Sequence, residues 1–231
     1  MIQISNLSKK YGETVVFSDL NYTFENACIY GLVGRNGAGK TTLLNILSNY
    51  DKNYTGVISI DRKKMNKVDY LDMPVAYAMD QPSFFNELTI YENLLLIASS
   101  RKIKKQEAFD KIERILDGLG LKKYENYSPL ELSKGTMQRL NNACAMIQEE
   151  KITIFDEPFS GLDPVQMKLL ENVIVEFHKK EKGIYIISSH DIECLQNVCD
   201  KCLLLHNGQI GEINMEEVDR EEIAKILSEG E

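Results

Sequence analysis

The sequence predicts an α/β fold: a mostly parallel sheet core, an antiparallel β-subdomain at the N-terminal end, and an inserted α-helical subdomain. Three observations predict it. An apolar strand, Cys28–Val33, runs directly into a glycine-rich segment and then a helical stretch. Two further apolar runs, Ile152–Phe155 and Ile184–Ile187, are separated by helical spacing over Val165–Lys179, the strand–helix–strand order of a parallel sheet. Between these two parts, from about residue 86 to residue 148, the pattern turns helical. No repeat, low-complexity tract or linker divides the 231 residues, which read as a single domain.

Taken in order, the first thirty residues read as short strands at Ile2–Ile4, Val15–Phe17 and Tyr22–Phe24, with a turn at Tyr11-Gly12. After the glycine segment, Leu43, Leu44 and Leu47 give Thr41–Ser48 the spacing of a helix. The helical middle contains Tyr91–Ser100, Gln106–Gly118 and a helix from Lys134 that carries Leu140, Ala143, Cys144 and Ile147 on one face. Lys201–Gly211 reads as a hairpin turning at Asn207-Gly208. From about residue 215 to 231 the tail is an acidic helix whose Val218, Ile223 and Ile226 could dock weakly.

Composition narrows the partners. Apolar residues at 43% and charged residues at 27% suit a soluble globular chain. A net charge of -8 argues against nucleic acid as the main partner, because phosphate backbones demand a basic face. The basic run Arg101–Lys105 reads as a solvated helix face. No apolar stretch approaches the ~20 residues a bilayer span needs, and the start lacks the layout of a secretion signal. The expectation is a cytoplasmic protein whose membrane role, if any, comes through a partner chain. An odd set of five cysteines suggests reduced thiols. Cys199, Cys202 and His206 invite a zinc reading, yet only three ligands are in view and Cys202 opens the apolar run Cys202–Leu205, so core packing is expected.

Gly34-Arg35-Asn36-Gly37-Ala38-Gly39-Lys40-Thr41 has the form G-x-x-x-x-G-K-[ST]. Such a loop wraps phosphates with its backbone N–H groups, and side chains would block that approach. The following helix adds its positive dipole end. Lys40 is expected to reach the β- and γ-phosphates, and Thr41 to ligate Mg²⁺. A dinucleotide fingerprint needs different glycine spacing. The strand Ile152–Phe155 then delivers Asp156, placed to hold Mg²⁺ through water, and Glu157, placed to accept a proton from an attacking water. His190 follows the next strand and is expected at the γ-phosphate edge as a positioning group. Ser133 is a natural N-cap, and Gly135 lets N–H groups approach an anion. Starting some ninety residues after the glycine loop, this helix suggests a second nucleotide contact supplied across a dimer.

In these motifs the chain resembles the ATP-binding cassette (ABC) ATPases, the nucleotide-binding subunits of ABC transporters, from about residue 2 to residue 212. The resemblance implies a RecA-like P-loop NTPase fold. Gly34–Thr41 resembles Walker A, with Gly34, Asn36, Gly37, Ala38, Gly39, Lys40, Thr41 and the adjoining Thr42 at the nucleotide. Gln81 resembles the Q-loop glutamine, a Mg²⁺ ligand and part of the catalytic set. Ser133–Thr136 resembles the signature motif, and Ile152–Glu157 resembles Walker B with its catalytic glutamate. Ser160–Asp163 resembles the D-loop, with Asp163 at the nucleotide. His190 resembles the switch histidine, and Tyr11 sits where the family stacks an aromatic ring on adenine. One departure stands out: Lys134 and Thr136 replace the first glycine and the glutamine of L-S-G-G-Q.

The resemblance further implies two cassettes, a homodimer by preference, sandwiching ATP and Mg²⁺ and driving a separate membrane-embedded permease at the inner face of the cell membrane. The phrase Leu88–Leu94 is similar to that of small bacterial exporters. Rival readings are a regulatory ABC ATPase without transport, a GTPase reading guanine through Asn66-Lys67-Val68-Asp69, and a small-molecule kinase. The GTPase motif precedes the acidic strand, where a GTPase needs it well after. The kinase leaves Ser133–Thr136, Asp163 and His190 without a task.

Overall fold

The computed structural model describes residues 1–68, 72–190 and 192–214. Among the described residues, ten strands form two sheets. The smaller sheet contains β1 (Ile2–Tyr11), β2 (Thr14–Phe24), β4 (Thr55–Ile60) and β5 (Lys63–Lys64), in the order β2-β1-β4-β5 and antiparallel throughout. The larger contains β3 (Cys28–Val33), β6 (Val75–Ala78), β7 (Ile152–Phe155), β8 (Ile184–Ser189), β9 (Lys201–His206) and β10 (Gln209–Ile213). Its order is β10-β9-β3-β8-β7-β6, parallel except for the edge hairpin β9–β10.

The larger sheet separates two cores because its side chains alternate in direction along each strand. Ile29, Val33, Ala76, Ala78, Phe155, Tyr185 and Ile187 face one way. There they meet α2 (Ile90–Ser100), α3 (Lys105–Gly118), α4 (Lys134–Met146), α5 (Pro164–Glu181) and α6 (Glu193–Gln196). Cys28, Tyr30, Leu32, Ile152, Ile154, Ile184 and Ile186 face the other way, against α1 (Lys40–Leu47) and the smaller sheet. With both faces covered, β3, β7 and β8 are buried along their whole length. That is why they read as unbroken apolar runs.

Several expectations need correction. The two short strands at Val15–Phe17 and Tyr22–Phe24 are one strand, β2, and β1 continues past Ile4 to Tyr11. Register shifts in this pair break the alternation, and Asn6 and Asp19 take left-handed backbone there, so no period-2 signal runs through. Cys202, by contrast, is buried in β9 as the expected core residue. Burial pushes its thiol up to about 11 and the Cys144 thiol up to about 12. Asn66 and Lys67 lie in a short 3₁₀ turn beside the smaller sheet, while Asp69 and the acidic tail fall outside the described residues.

The basic run is not a uniformly solvated face. Arg101 caps the end of α2 and is half-buried. Its Nε and Nη2 donate to Gln148 Oε1 at 2.9 and 2.7 Å, its Nη1 and Nη2 reach the carbonyls of Met73 and Val75 at 3.3 and 3.2 Å, and it pairs with Glu150 at 3.1 Å. It therefore ties the helical part to the sheet edge at β6. Burial raises the Glu150 carboxyl, and Arg101 pulls it back down. Arg101→Ala leaves these acceptors half-buried without a donor, so chemical denaturation should report a loss of about 1.5–3 kcal/mol. Arg101→Lys should restore only part of it, lacking the planar fork.

Candidate active site

Three parallel strands end side by side. Val33 pairs with Ser189 and Phe155 with Ile187, so the glycine loop, Asp156-Glu157 and His190 all leave the sheet at one edge. This carboxyl edge of an open α/β sheet is where ligands bind. A cavity of about 560 Å³ opens there, lined by Tyr11, Thr14, Val16, Arg35, Asn36, Gly37, Gly39, Lys40, Thr41, Thr42, Asp80, Glu157, Ser160 and His190.

The loop is built by its glycines. Gly39 caps α1 at φ 101°, and a Cβ there would lie 2.7 Å from Val16 Cγ1. Only glycine permits both that conformation and the close approach to β2. The turn is closed by Ala38 N–H donating to the Arg35 carbonyl at 3.1 Å. The first N–H groups of α1 lack partners within the helix and are available to an anion. Lys40, buried, donates from Nζ to the Gly34 carbonyl at 2.7 Å and lies 3.7 Å from Glu157 Oε1.

Asp156 is 1% exposed. Ser188 Oγ donates to its Oδ1 at 2.6 Å, and the Thr41 hydroxyl hydrogen-bonds it as well. Tyr77 Oη lies 3.4 Å from Oδ2 while donating to Asn45 Oδ1 at 3.0 Å. Burial raises the Asp156 carboxyl above the usual carboxylate range; the Ser188 and Thr41 hydrogen bonds oppose the shift, and Glu157 and Asp80 add to it. Glu157 takes left-handed backbone, φ 50°, and its N–H donates to Ser188 Oγ at 2.9 Å. Its carboxylate is held between Lys40 and His190, whose Nδ1 is 2.9 Å from Oε2. The His190 side chain is 61% exposed.

Other expected residues lie elsewhere. Gln81 is exposed on the loop after β6 and does not line the cavity, whereas Asp80 does. Ser133 caps α4 and lines a separate cavity of about 510 Å³ with Thr136, Arg139 and Gln166. A Cβ on Gly135 would sit 2.9 Å from the Gly161 carbonyl, so this glycine also lets α4 abut the 160–163 loop. Asp163 caps α5, accepting from the Gln166 N–H at 2.9 Å. Tyr11, at the cavity mouth, donates to Asp51 at 3.1 Å and lies under Lys9, 4.5 Å from the ring centroid.

The ABC transporter family matches residues 17–160, more than half of the chain. The chain belongs to the ABC transporter ATP-binding family. The cassette is 30% identical to the tungstate uptake system ATP-binding protein of Peptoclostridium acidaminophilum, covering 91% of this chain and 97% of that one. It is also 30% identical to the bacitracin transport ATP-binding protein of Enterococcus faecalis, over 95% of this chain and 71% of that one. A solved ATP-binding subunit of an ABC transporter superposes with a TM-score of 0.85 at 26% identity, covering 99% of this chain and 95% of that one. The cassette is thus an ABC-type ATPase, and its fold is the P-loop cassette fold.

Within the cassette, one cavity gathers Tyr11, Asn36, Gly37, Gly39, Lys40, Thr41, Thr42, Glu157 and His190. Gly34 and Ala38 complete the loop, and Asp156 lies beneath it, bonded to Thr41. Ser133, Gly135, Asp163 and Gln81 stand outside this cavity. Residue-level reading missed Ser188, which touches both acids, and Tyr77, which faces Asp156 from the neighbouring strand. A hydroxyl at the end of a buried strand was the available signal for Ser188. Tyr77 carried none, because β6 is only four residues long.

The raised Asp156 carboxyl has a consequence for stability. Where the native state binds the proton more tightly than the unfolded chain, stability falls as pH rises through that range. Asp156→Asn removes the buried charge, so at neutral pH the variant should melt higher than wild type. The gain should shrink as pH falls through the raised range, where protonation brings the same relief. Thermal melts across pH check this.

Proposed function

We propose that the cassette binds Mg-ATP in the 560 Å³ cavity and hydrolyses it to drive a separate membrane-embedded permease. The observation that carries the reading is the meeting of Lys40, Thr41, Asp156, Glu157 and His190 at one end of parallel strands. The exposed Tyr11 ring offers a stacking surface for adenine, and the loop amides with Lys40 grip the phosphates. The Thr41 hydroxyl and Asp156 carboxylate are hard oxygen donors and fit Mg²⁺. Among the described residues no cluster of three or more His, Cys, Asp or Glu could hold a metal alone, so phosphate oxygens and water would complete the shell, and Gln81 would join it only by moving in from its exposed loop. Bound there, the cation neutralises phosphate charge.

Glu157 takes a proton from water as its oxygen attacks the γ-phosphorus. The bond to the bridging oxygen breaks, and ADP and phosphate leave. His190, donating to Glu157, orients that carboxylate. Ser133, Gly135 and Asp163 lie outside the cavity, which supports their serving the nucleotide of a second cassette in a homodimer. Loss of the γ-phosphate then removes the group that bridges the pair, and the dimer opens.

No helix of the described residues is long and apolar enough to cross a membrane. We infer that the cassette is cytoplasmic and docks on its permease at the inner face of the cell membrane. Likeness to the bacitracin transport protein and the Leu88–Leu94 phrase support export; likeness to the tungstate uptake protein points the other way, so direction lies with the permease. Glu157→Gln should keep nucleotide binding and lose ~10²–10⁴-fold in turnover, the usual loss of a general base. Lys40→Ala should lose binding of a labelled ATP analogue. Wild-type turnover by Glu157→Gln would remove the assigned base.

A further inference from the structure

Thr136 stands where the family signature carries glutamine, and its hydroxyl enters a network with Ser133 and Arg139. It is 3% exposed at the start of α4, and its hydroxyl is 2.9 Å from Ser133 Oγ. Arg139, one turn on and 5% exposed, donates from Nη2 to Thr136 Oγ1 at 3.3 Å. The same guanidinium is anchored by Nη1 to the carbonyls of Leu119 and Gly120 at 2.6 and 3.3 Å. Arginine can only donate, so it fills one of the two acceptor positions on the Thr136 oxygen.

The buried Thr136 proton then needs an acceptor. Among the described residues the structure offers it Ser133 Oγ. Ser133 Oγ also accepts the Thr136 backbone N–H at 3.3 Å. With both acceptor positions of that oxygen occupied, the remaining Ser133 proton points away from the helix, and Ser133 itself is exposed. In the opposite arrangement, with Ser133 donating inward, the Thr136 proton would be stranded and the exposed oxygen would present lone pairs to an anion.

We propose that Thr136 is a positioning residue: fed by Arg139, it turns the Ser133 hydroxyl into an outward donor for the terminal phosphate of ATP held by a second cassette. This rests on the reading that Ser133 meets nucleotide across a dimer. Thr136 is buried, so it acts by ordering a proton and does not itself reach the nucleotide.

The experiment is a double-mutant cycle on the intact protein, reading kcat/KM for Mg-ATP. Thr136→Val and Thr136→Ala should each lose about tenfold, the scale of one hydrogen bond to a charged group. Thr136→Ser should stay within about twofold of wild type, since it keeps the hydroxyl. In a Ser133→Ala background, Thr136→Val should cost nothing further. Melting curves identify a variant that merely unfolds, and the alanine variant stands in should valine not fold. Full activity of the valine and alanine variants overturns the proposal, as does an undiminished loss in the Ser133→Ala background. Wild-type activity of Ser133→Ala alone overturns instead the cross-dimer reading, and the relay with it.

Discussion

A carboxylate that is 1% exposed has lost nearly all of its water, and the protein must supply substitutes. For Asp156 these are hydroxyls from separate elements: Ser188 of β8, Thr41 of α1 and, more distantly, Tyr77 of β6. The substitution is incomplete, which is why its carboxyl titrates above the ordinary range. That arrangement joins the elements of the site. Thr41 stands just inside the helix that follows the glycine loop, and Ser188 also receives the Glu157 N–H. Phosphate loop, acidic strand and histidine strand are thus tied through one buried charge.

Glu157 illustrates a second constraint. Its left-handed backbone at φ 50° costs free energy for a residue with a side chain, of order 1–3 kcal/mol. The conformation turns the chain sharply after β7, so that adjacent acids point differently. Asp156 goes down toward Thr41 and Ser188, and Glu157 goes out between Lys40 and His190. Two neighbouring carboxylates thereby acquire separate surroundings, a condition for separate roles.

The cassette has two chemically distinct sites. One bears the phosphate loop and the acids; the other bears the start of α4, where Ser133 caps the helix and Arg139 and Thr136 surround its first turn. Lys134 does not enter that network: its methylenes lie across Gly161, leaving room for charge at a position where the family carries glycine. The charge of Arg101 is likewise used internally, on the seam between helices and sheet, while Lys102, Lys104 and Lys105 are exposed.

Much of this was legible in the residues. Cys28–Val33, Ile152–Phe155 and Ile184–Ile187 announced themselves because strands covered on both faces must be apolar throughout. The Gly34–Thr41 loop was legible because amide contact with phosphate tolerates few side chains. The smaller sheet was harder: bulges in β1 and β2 break the period-2 pattern, and β6 is too short to carry one. What sequence alone determined was which chemical groups were present and which strand ends would carry them. Only the tertiary structure decided who solvates Asp156 and that Gln81 stands apart from the cavity. Those depend on strand order and register, long-range pairings that bring residues such as Thr41, Asp156 and Ser188 together from distant parts of the chain.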